Sequence, residues 1–224
     1  MDGLIALNFH GIGTPARDLE PGEAPYWIAP ELFDVILDRI AAHPERARIR
    51  ITFDDGNRSD LTVALPALRA RGLRADFFVL SGRLGEAGSL DAEGIVALLE
   101  AGMGVGSHGI AHLPWDGLSP DALRDELEGS KARLEEVCGR PVTSAGIPFG
   151  RWSGAVLRGL RAAGYIEAWS SDGGVARDGD FPMARTSVRA DMDPGKIDAV
   201  LAGRTDPARR LRRALGVARK RWLA

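Results

Sequence analysis

The stretch Arg48-Ile49-Arg50-Ile51-Thr52-Phe53-Asp54-Asp55-Gly56 constrains the chain most. Apolar and polar side chains alternate with the period of a half-buried β-strand, and the run ends in two adjacent carboxylates and a glycine. Successive strand residues point to opposite faces, so a plain strand sends only one of Asp54 and Asp55 toward the core. Burying an unpaired carboxylate is unfavourable. Two arrangements resolve this: a turn at Gly56 gathers both carboxylates into one polar site, or the pair caps the following helix. The stretch Ser107-His108-Gly109-Ile110-Ala111-His112 adds two imidazoles four residues apart, again after a short apolar run. One carboxylate with two imidazoles is a full protein ligand set for a catalytic metal that keeps open positions.

Strands and helices alternate around these two stretches. Residues 4–9 predict a strand broken only by Asn8 and ending in His10, which in isolation reads as a strand-end histidine bonded to backbone. A Gly- and Pro-rich loop follows to about residue 27, and its Tyr26 and Trp27 would either wall a ligand groove or pack as a small cluster. Helices are predicted over 30–42, 59–71, 91–101, 119–138 and 153–163, with Pro66 either kinking the second or marking its start. Further strands are predicted over 75–80, around Val105, over 142–147, 165–169 and 183–188, with loop at 170–180. The alternation implies parallel pairing and an α/β fold. In such folds the C-terminal strand ends carry the site, and His10, Asp54, Asp55, His108 and Phe149 all fall there.

A chain of 224 residues with 45% hydrophobic and 27% charged residues suits one globular domain. A net charge of −2 and the absence of a recognition motif exclude a general nucleic-acid binder. The single cysteine, Cys138, forms no disulfide within the chain. Residues 1–7 lack the basic start and long apolar core of a signal peptide, and no apolar run approaches the ~18 residues of a membrane span, so a cytoplasmic protein is expected. Residues 1–203 form the expected domain. Residues 204–224 form a basic tail, with Arg204, Arg209, Arg210, Arg212, Arg213, Arg219, Lys220 and Arg221 among Leu211, Leu215, Val217 and Trp222. Such a helix would lie peripherally on an anionic inner membrane face, contact an acidic partner, or pack on the domain by its apolar residues.

Thr52-Phe53-Asp54-Asp55-Gly56, then Ser107-His108-x-x-x-His112, then Pro148-Phe149-Gly150 resemble in order and spacing the polysaccharide deacetylases, carbohydrate esterases of the NodB-homology type. The resemblance runs from about residue 4 to 188 and implies a distorted (β/α) barrel of about seven strands in one domain. It implies hydrolysis of N-acetyl groups on sugars, with Asp55, His108 and His112 as metal ligands and Asp54 as catalytic base. The backbone N–H of Phe149 would hold the oxyanion. One divalent ion is implied, zinc by ligand type, although such sites also accept cobalt or nickel.

The sequence departs from the family pattern in several places. The family's general acid is a histidine after a late strand, but no histidine follows His112 here. Leu7-Asn8-Phe9-His10 has the same strand-then-histidine form at the N-terminus, which resembles the circularly permuted branch of poly-N-acetylglucosamine deacetylases and assigns the acid to His10. Ala145-Gly146-Ile147 replaces the arginine that orients the catalytic aspartate, and Arg185 on the last predicted strand is the candidate substitute. Asp172 resembles the late acidic motif without its tryptophan partner, and Gly109 stands where Ser or Thr is common. Trp152 would stack on a sugar ring or pack in the core.

The expectation is a metal-dependent sugar de-N-acetylase acting on a polysaccharide or a lipid- or nucleotide-linked precursor. Alternatives are an amidase or imidase on a non-sugar C–N bond and an inactive carbohydrate-binding module. Intact Asp54, Asp55, His108 and His112 argue against the last, because a binder needs no base beside a metal.

Overall fold

The computed structural model of the protein describes residues 3–204, 215–217 and 220. Six parallel strands follow the predicted order: β1 (Leu4–Phe9), β2 (Ile49–Phe53), β3 (Asp76–Val79), β4 (Gly104–Ser107), β5 (Ser144–Gly146) and β6 (Glu167–Ser170). The predicted last strand, 183–188, divides at Arg185. Its first half, β8 (Met183–Ala184), pairs with β6, and its second half, β9 (Thr186–Ser187), pairs with β1. One bent segment therefore joins the last strand to the first and gives a distorted (β/α) barrel, as expected. The predicted loop 170–180 instead holds a two-residue strand, β7 (Val175–Ala176), antiparallel to β1. So short an element has no period of its own, and only its remote partner creates it.

Alternation along each strand separates two apolar regions. Ile5, Leu7 and Phe9 of β1 and Ile49, Ile51 and Phe53 of β2 face outward into the main core, under α1 (Pro30–Ala41). Phe53 stacks between Phe9, at 5.2 Å, and Phe77, at 4.6 Å, and Phe33 of α1 meets Phe9 edge-on at 5.1 Å. Each such fully buried side chain stabilises the fold by about 1.5–3 kcal/mol. Inside the barrel a smaller cluster of Ala6, Phe78 and Trp169 fills the interior. Above it, the inward positions are polar: Asn8 lies opposite Thr52 in register, and Asp54 follows.

Several helices begin where a side chain satisfies a free N–H group. Asp91 caps α3 (Ala92–Glu100), Ser119 caps α4 (Pro120–Arg124) and Ser153 caps α6 (Gly154–Ala162). The helix predicted over 59–71 is a π-helical turn (Asp60–Ala64) followed by α2 (Leu65–Ala70), with Pro66 in the first turn of α2. The proline thus stands at the start of α2, directly after the widened turn, where its missing amide hydrogen breaks the fewest bonds. The helix predicted over 119–138 likewise contains a π-helical turn (Asp125–Gly129) between α4 and α5 (Ser130–Cys138). The chain continues through α7 (Pro194–Leu201). Among the described residues, no helix is long and apolar enough to cross a membrane. Most of the predicted basic tail lies outside the described residues. Val217 packs against the main core.

Candidate active site

Three non-glycine residues among those described have a left-handed backbone: Asp55 (φ 78°), His112 (φ 54°) and Phe149 (φ 57°). Each sits just beyond a strand's C-terminal end or in the loop that follows, and each is a residue singled out by sequence. Such conformations cost about 1–3 kcal/mol and persist where the surroundings enforce them, commonly at functional sites. At Asp55 the turn answers the question posed by the Asp-Asp pair. The chain leaves the strand path there, and both Asp54 and Asp55 are buried on the same side. Neither carboxylate accepts a bond from the start of the following helix, which has no side-chain cap.

Asp55, His108 and His112 converge, with one ligand atom from each lying within 4.8 Å of the others. Nε2 of His108 and Nε2 of His112 each lie 3.6 Å from Oδ1 of Asp55. Ligand bonds of about 2.1 Å around a tetrahedral ion separate ligand atoms by about 3.4 Å, so the spacing suits one divalent ion. Oδ1 of Asp55 is buried and has no hydrogen-bond partner, as expected of an atom reserved for a cation. Burial lowers the pKa of His108, an effect opposed by Asp54 and Asp55 and supported by His112 and Arg185, which favours the neutral imidazole. Its Nδ1 donates to the Gly146 carbonyl at 2.8 Å, leaving the Nε2 lone pair facing Asp55. On His112, Nδ1 lies 2.6 Å from Oε2 of Glu20, with the same consequence for its Nε2. Holding one ring nitrogen to fix the other is the usual way a protein orients a histidine ligand.

Asp54 lies beside this cluster, with Oδ2 3.9 Å from Nε2 of His108. Arg185, fully buried, grips both carboxylate oxygens of Asp54, Nη1 to Oδ1 at 2.8 Å and Nη2 to Oδ2 at 2.9 Å. Asn8 donates to Asp54 at 2.8 Å and accepts from Arg185 at 2.8 Å. The hydroxyl of Thr52 completes the network by donating to Asn8 at 2.8 Å. Burial opposes ionisation of Asp54, but the Arg185 guanidinium, with His108 and His10, holds its carboxyl well below the usual carboxylate range. The place where the family arginine is missing is crowded at Gly146. A Cβ on Gly146 would lie 3.0 Å from Oδ1 of Asp54 and 3.1 Å from Nδ1 of His108. The guanidinium arrives instead from the β8–β9 seam.

The ring of His10 packs on Tyr26 at 4.8 Å, and its buried Nδ1 has no partner, so the reading of a backbone-bonded strand-end histidine is set aside. Trp27 donates its indole N–H to Glu23 at 3.0 Å. The exposed Phe149 stacks on His112 at 4.3 Å. Trp152 is buried and donates to Oδ2 of Asp172 at 2.9 Å, and the Lys220 ammonium lies over its ring at 5.3 Å from the centre.

Two carboxylates that the sequence reading missed organise the histidine loop. Glu20 comes from the Gly- and Pro-rich loop, pairs with Arg83 and orients His112, and no local pattern announces it. Glu126 lies in the π-helical turn and accepts from the backbone N–H groups of Ile110, at 2.8 Å, and Ala111, at 3.2 Å. Its sequence signal was a charge on the apolar side of a helix, one residue from Leu127 and three from Leu123. Gly109 is required beside it, because a Cβ there would sit 2.6 Å from Oε2 of Glu126 and φ is +88°.

The polysaccharide deacetylase family model matches residues 41–168, a span that holds Asp54, Asp55, His108, His112 and Phe149 and leaves out His10 and Arg185. YxkH of Bacillus subtilis (strain 168), named as a polysaccharide deacetylase, is 28% identical over 160 residues, which are 70% of this chain and 57% of that protein. The chain thus spans just over half the length of that relative. The Streptococcus pyogenes deacetylase PplD, solved in complex with acetate, has a TM-score of 0.76 at 22% identity, over 89% of this chain and 98% of that one. IcaB from Ammonifex degensii has a TM-score of 0.73 at 23% identity, over 90% and 97% of the two chains. These structures share the barrel fold. With the family match covering more than half of its length and all three motifs, this chain belongs to the polysaccharide deacetylase family.

Proposed function

We propose that the protein is a metal-dependent hydrolase that removes N-acetyl groups from an acetylated sugar. The convergence of His108 and His112 on the unpartnered Oδ1 of Asp55, beside an Asp54 held ionised by Arg185, carries this reading. Asp55, His108 and His112 would hold a divalent ion, with zinc the best match for two imidazoles and a carboxylate. That ion supplies Lewis acidity toward water and the amide carbonyl.

The protein groups divide the remaining work. Asp54 accepts the proton of the attacking water, and Arg185 with Asn8 keeps its oxygens ionised and aimed. The backbone N–H of Phe149, in its left-handed turn beside His112, donates to the oxygen that gains charge. His10, near enough to Asp54 to help hold it ionised and positioned against Tyr26, delivers a proton to the departing amine. The C–N bond breaks as that proton arrives, which releases acetate and the free amine of the sugar.

The test is acetate release by metal-stripped protein reloaded with zinc or cobalt, given acetylated chitooligomers and N-acetylglucosamine-linked precursors. Release that requires metal and is lost in Asp54→Asn and His10→Ala supports the assignment. Metal-loaded protein that releases no acetate from any sugar would transfer the site to a non-sugar amide.

A further inference from the structure

Asp172 is held for a cation from two sides. Its Oδ2 accepts from the buried Trp152 indole at 2.9 Å and from the Ser170 hydroxyl at 2.7 Å. Both donors are buried, so the carboxylate is fixed with Oδ1 left for another partner. Lys220, 48 residues further along the chain, places its ammonium on Oδ1 at 2.6 Å. The same nitrogen donates to the Gly150 carbonyl at 2.8 Å and lies 5.3 Å from the centre of the Trp152 ring. A carboxylate, a carbonyl and an aromatic face around one –NH3+ is a full recognition set for a primary ammonium.

Its place in the molecule gives this arrangement a use. Gly150 directly follows Phe149, whose ring stacks on His112 at 4.3 Å, so the carbonyl that holds the ammonium belongs to the loop that carries the proposed oxyanion donor. The acceptors do not depend on Lys220 for their positions. Gly150 is fixed by its own amide bond to Ile147 at 3.0 Å, and Asp172 by its two donors. The Lys220 side chain keeps 30% of its exposure, so it can be displaced.

We infer that Asp172, the Gly150 carbonyl and the Trp152 ring form an ammonium subsite that takes the free amine of an already deacetylated sugar unit, and that Lys220 of the same chain is its internal competitor. The inference rests on the deacetylase reading, because that reaction leaves a primary amine on the unit next to the one being processed. The enzyme would then favour partly deacetylated chains, whose free amine takes the place of the Lys220 ammonium. A purely structural brace has the same contacts but predicts no effect on sugar binding.

The test is calorimetric binding of a glucosamine tetramer and of its fully acetylated counterpart to the metal-loaded 224-residue chain at slightly acidic pH. Lys220→Met should bind the glucosamine tetramer about tenfold more tightly than wild type, the worth of one charge-assisted contact. Adding Asp172→Asn should abolish the gain, and the acetylated tetramer should change by less than about twofold. Lys220→Arg, which keeps a cation in place, should show no gain and decides the matter even if Asp172→Asn fails to fold. Equal binding by wild type and Lys220→Met, or a gain shared by Lys220→Arg, would overturn the subsite. Acetate release from the acetylated tetramer is followed in parallel. Its absence would refute deacetylation while the binding data still judge the subsite, and its presence without an amine effect would remove the subsite alone.

Discussion

Arg185 closes the barrel and holds Asp54 with the same stretch of chain. It sits where the last strand passes from β6 to β1, its backbone amide bonds Ser170 at 2.8 Å, and its guanidinium takes both oxygens of Asp54. The pair therefore couples the fold's closure to the charge of the assigned base.

Removing the guanidinium should be costly twice over. In Arg185→Met, Asp54 stays buried without its partner, which destabilises by about 3–5 kcal/mol. The folded pKa of Asp54 lies below its unfolded value, so the pair contributes stability above about pH 3.9 that is lost as pH falls through the folded value. Without Arg185 that pKa rises, and the acid limb of the deacetylation rate should move to higher pH. Denaturant melts at several pH values and a pH–rate profile check this, and an unmoved acid limb would exclude Asp54 as the base.

Glu20 should set metal affinity without setting the fold. Its carboxylate fixes His112 by one bond at 2.6 Å. Glu20→Gln should weaken metal binding by about 10–100-fold, with little change in the melting of the metal-free protein. Competition against a chromogenic chelator reads this directly, and wild-type affinity in the variant would show that the His112 ring is held by other contacts.

Gly109→Ala tests the loop between the two histidines. The left-handed backbone costs an alanine about 1–2 kcal/mol. The added Cβ must also displace the Glu126 carboxylate, which lies 2.6 Å away. Both the melting midpoint and metal affinity should fall. A variant as stable as wild type would mean that Glu126 yields freely and does not anchor the loop.

Asp60 should be a source of instability at neutral pH. It is fully buried, and burial, with Asp55 and Asp54 nearby, pushes its pKa well above its ordinary value against the opposing effect of the Asn57 backbone. Its folded pKa exceeds the unfolded one, so rising pH charges the unfolded chain first and stability is lost above about pH 3.9. Asp60→Asn should therefore raise the melting temperature at neutral pH and have little effect near pH 3. Equal shifts at both pH values would mean that packing, not ionisation, governs the site.

Much of the molecule was legible in the sequence because its causes are local. The apolar alternation of β1 and β2, the cap at Ser119 and the spacing of His108 and His112 are properties of neighbouring residues. Periodicity gave the strand-and-helix order and ligand type gave one carboxylate with two imidazoles, while the family resemblance chose Asp55 as that carboxylate. Sequence had also singled out Arg185, but only from charge and strand position. The tertiary structure decided what depends on distant segments meeting. The left-handed turn at Asp55 brings both carboxylates to one side, where a plain strand would have parted them. The split of residues 183–188 into β8 and β9 exists only because the barrel closes there. Glu20 reaches His112 across 92 residues, and Glu126 reaches the histidine loop through a widened helical turn. A carboxylate in a loop or on a helix carries no mark of the group it will orient. That is fixed when burial leaves each polar atom the choice of a partner or an unpaid desolvation, and only the folded chain determines which partner is within reach.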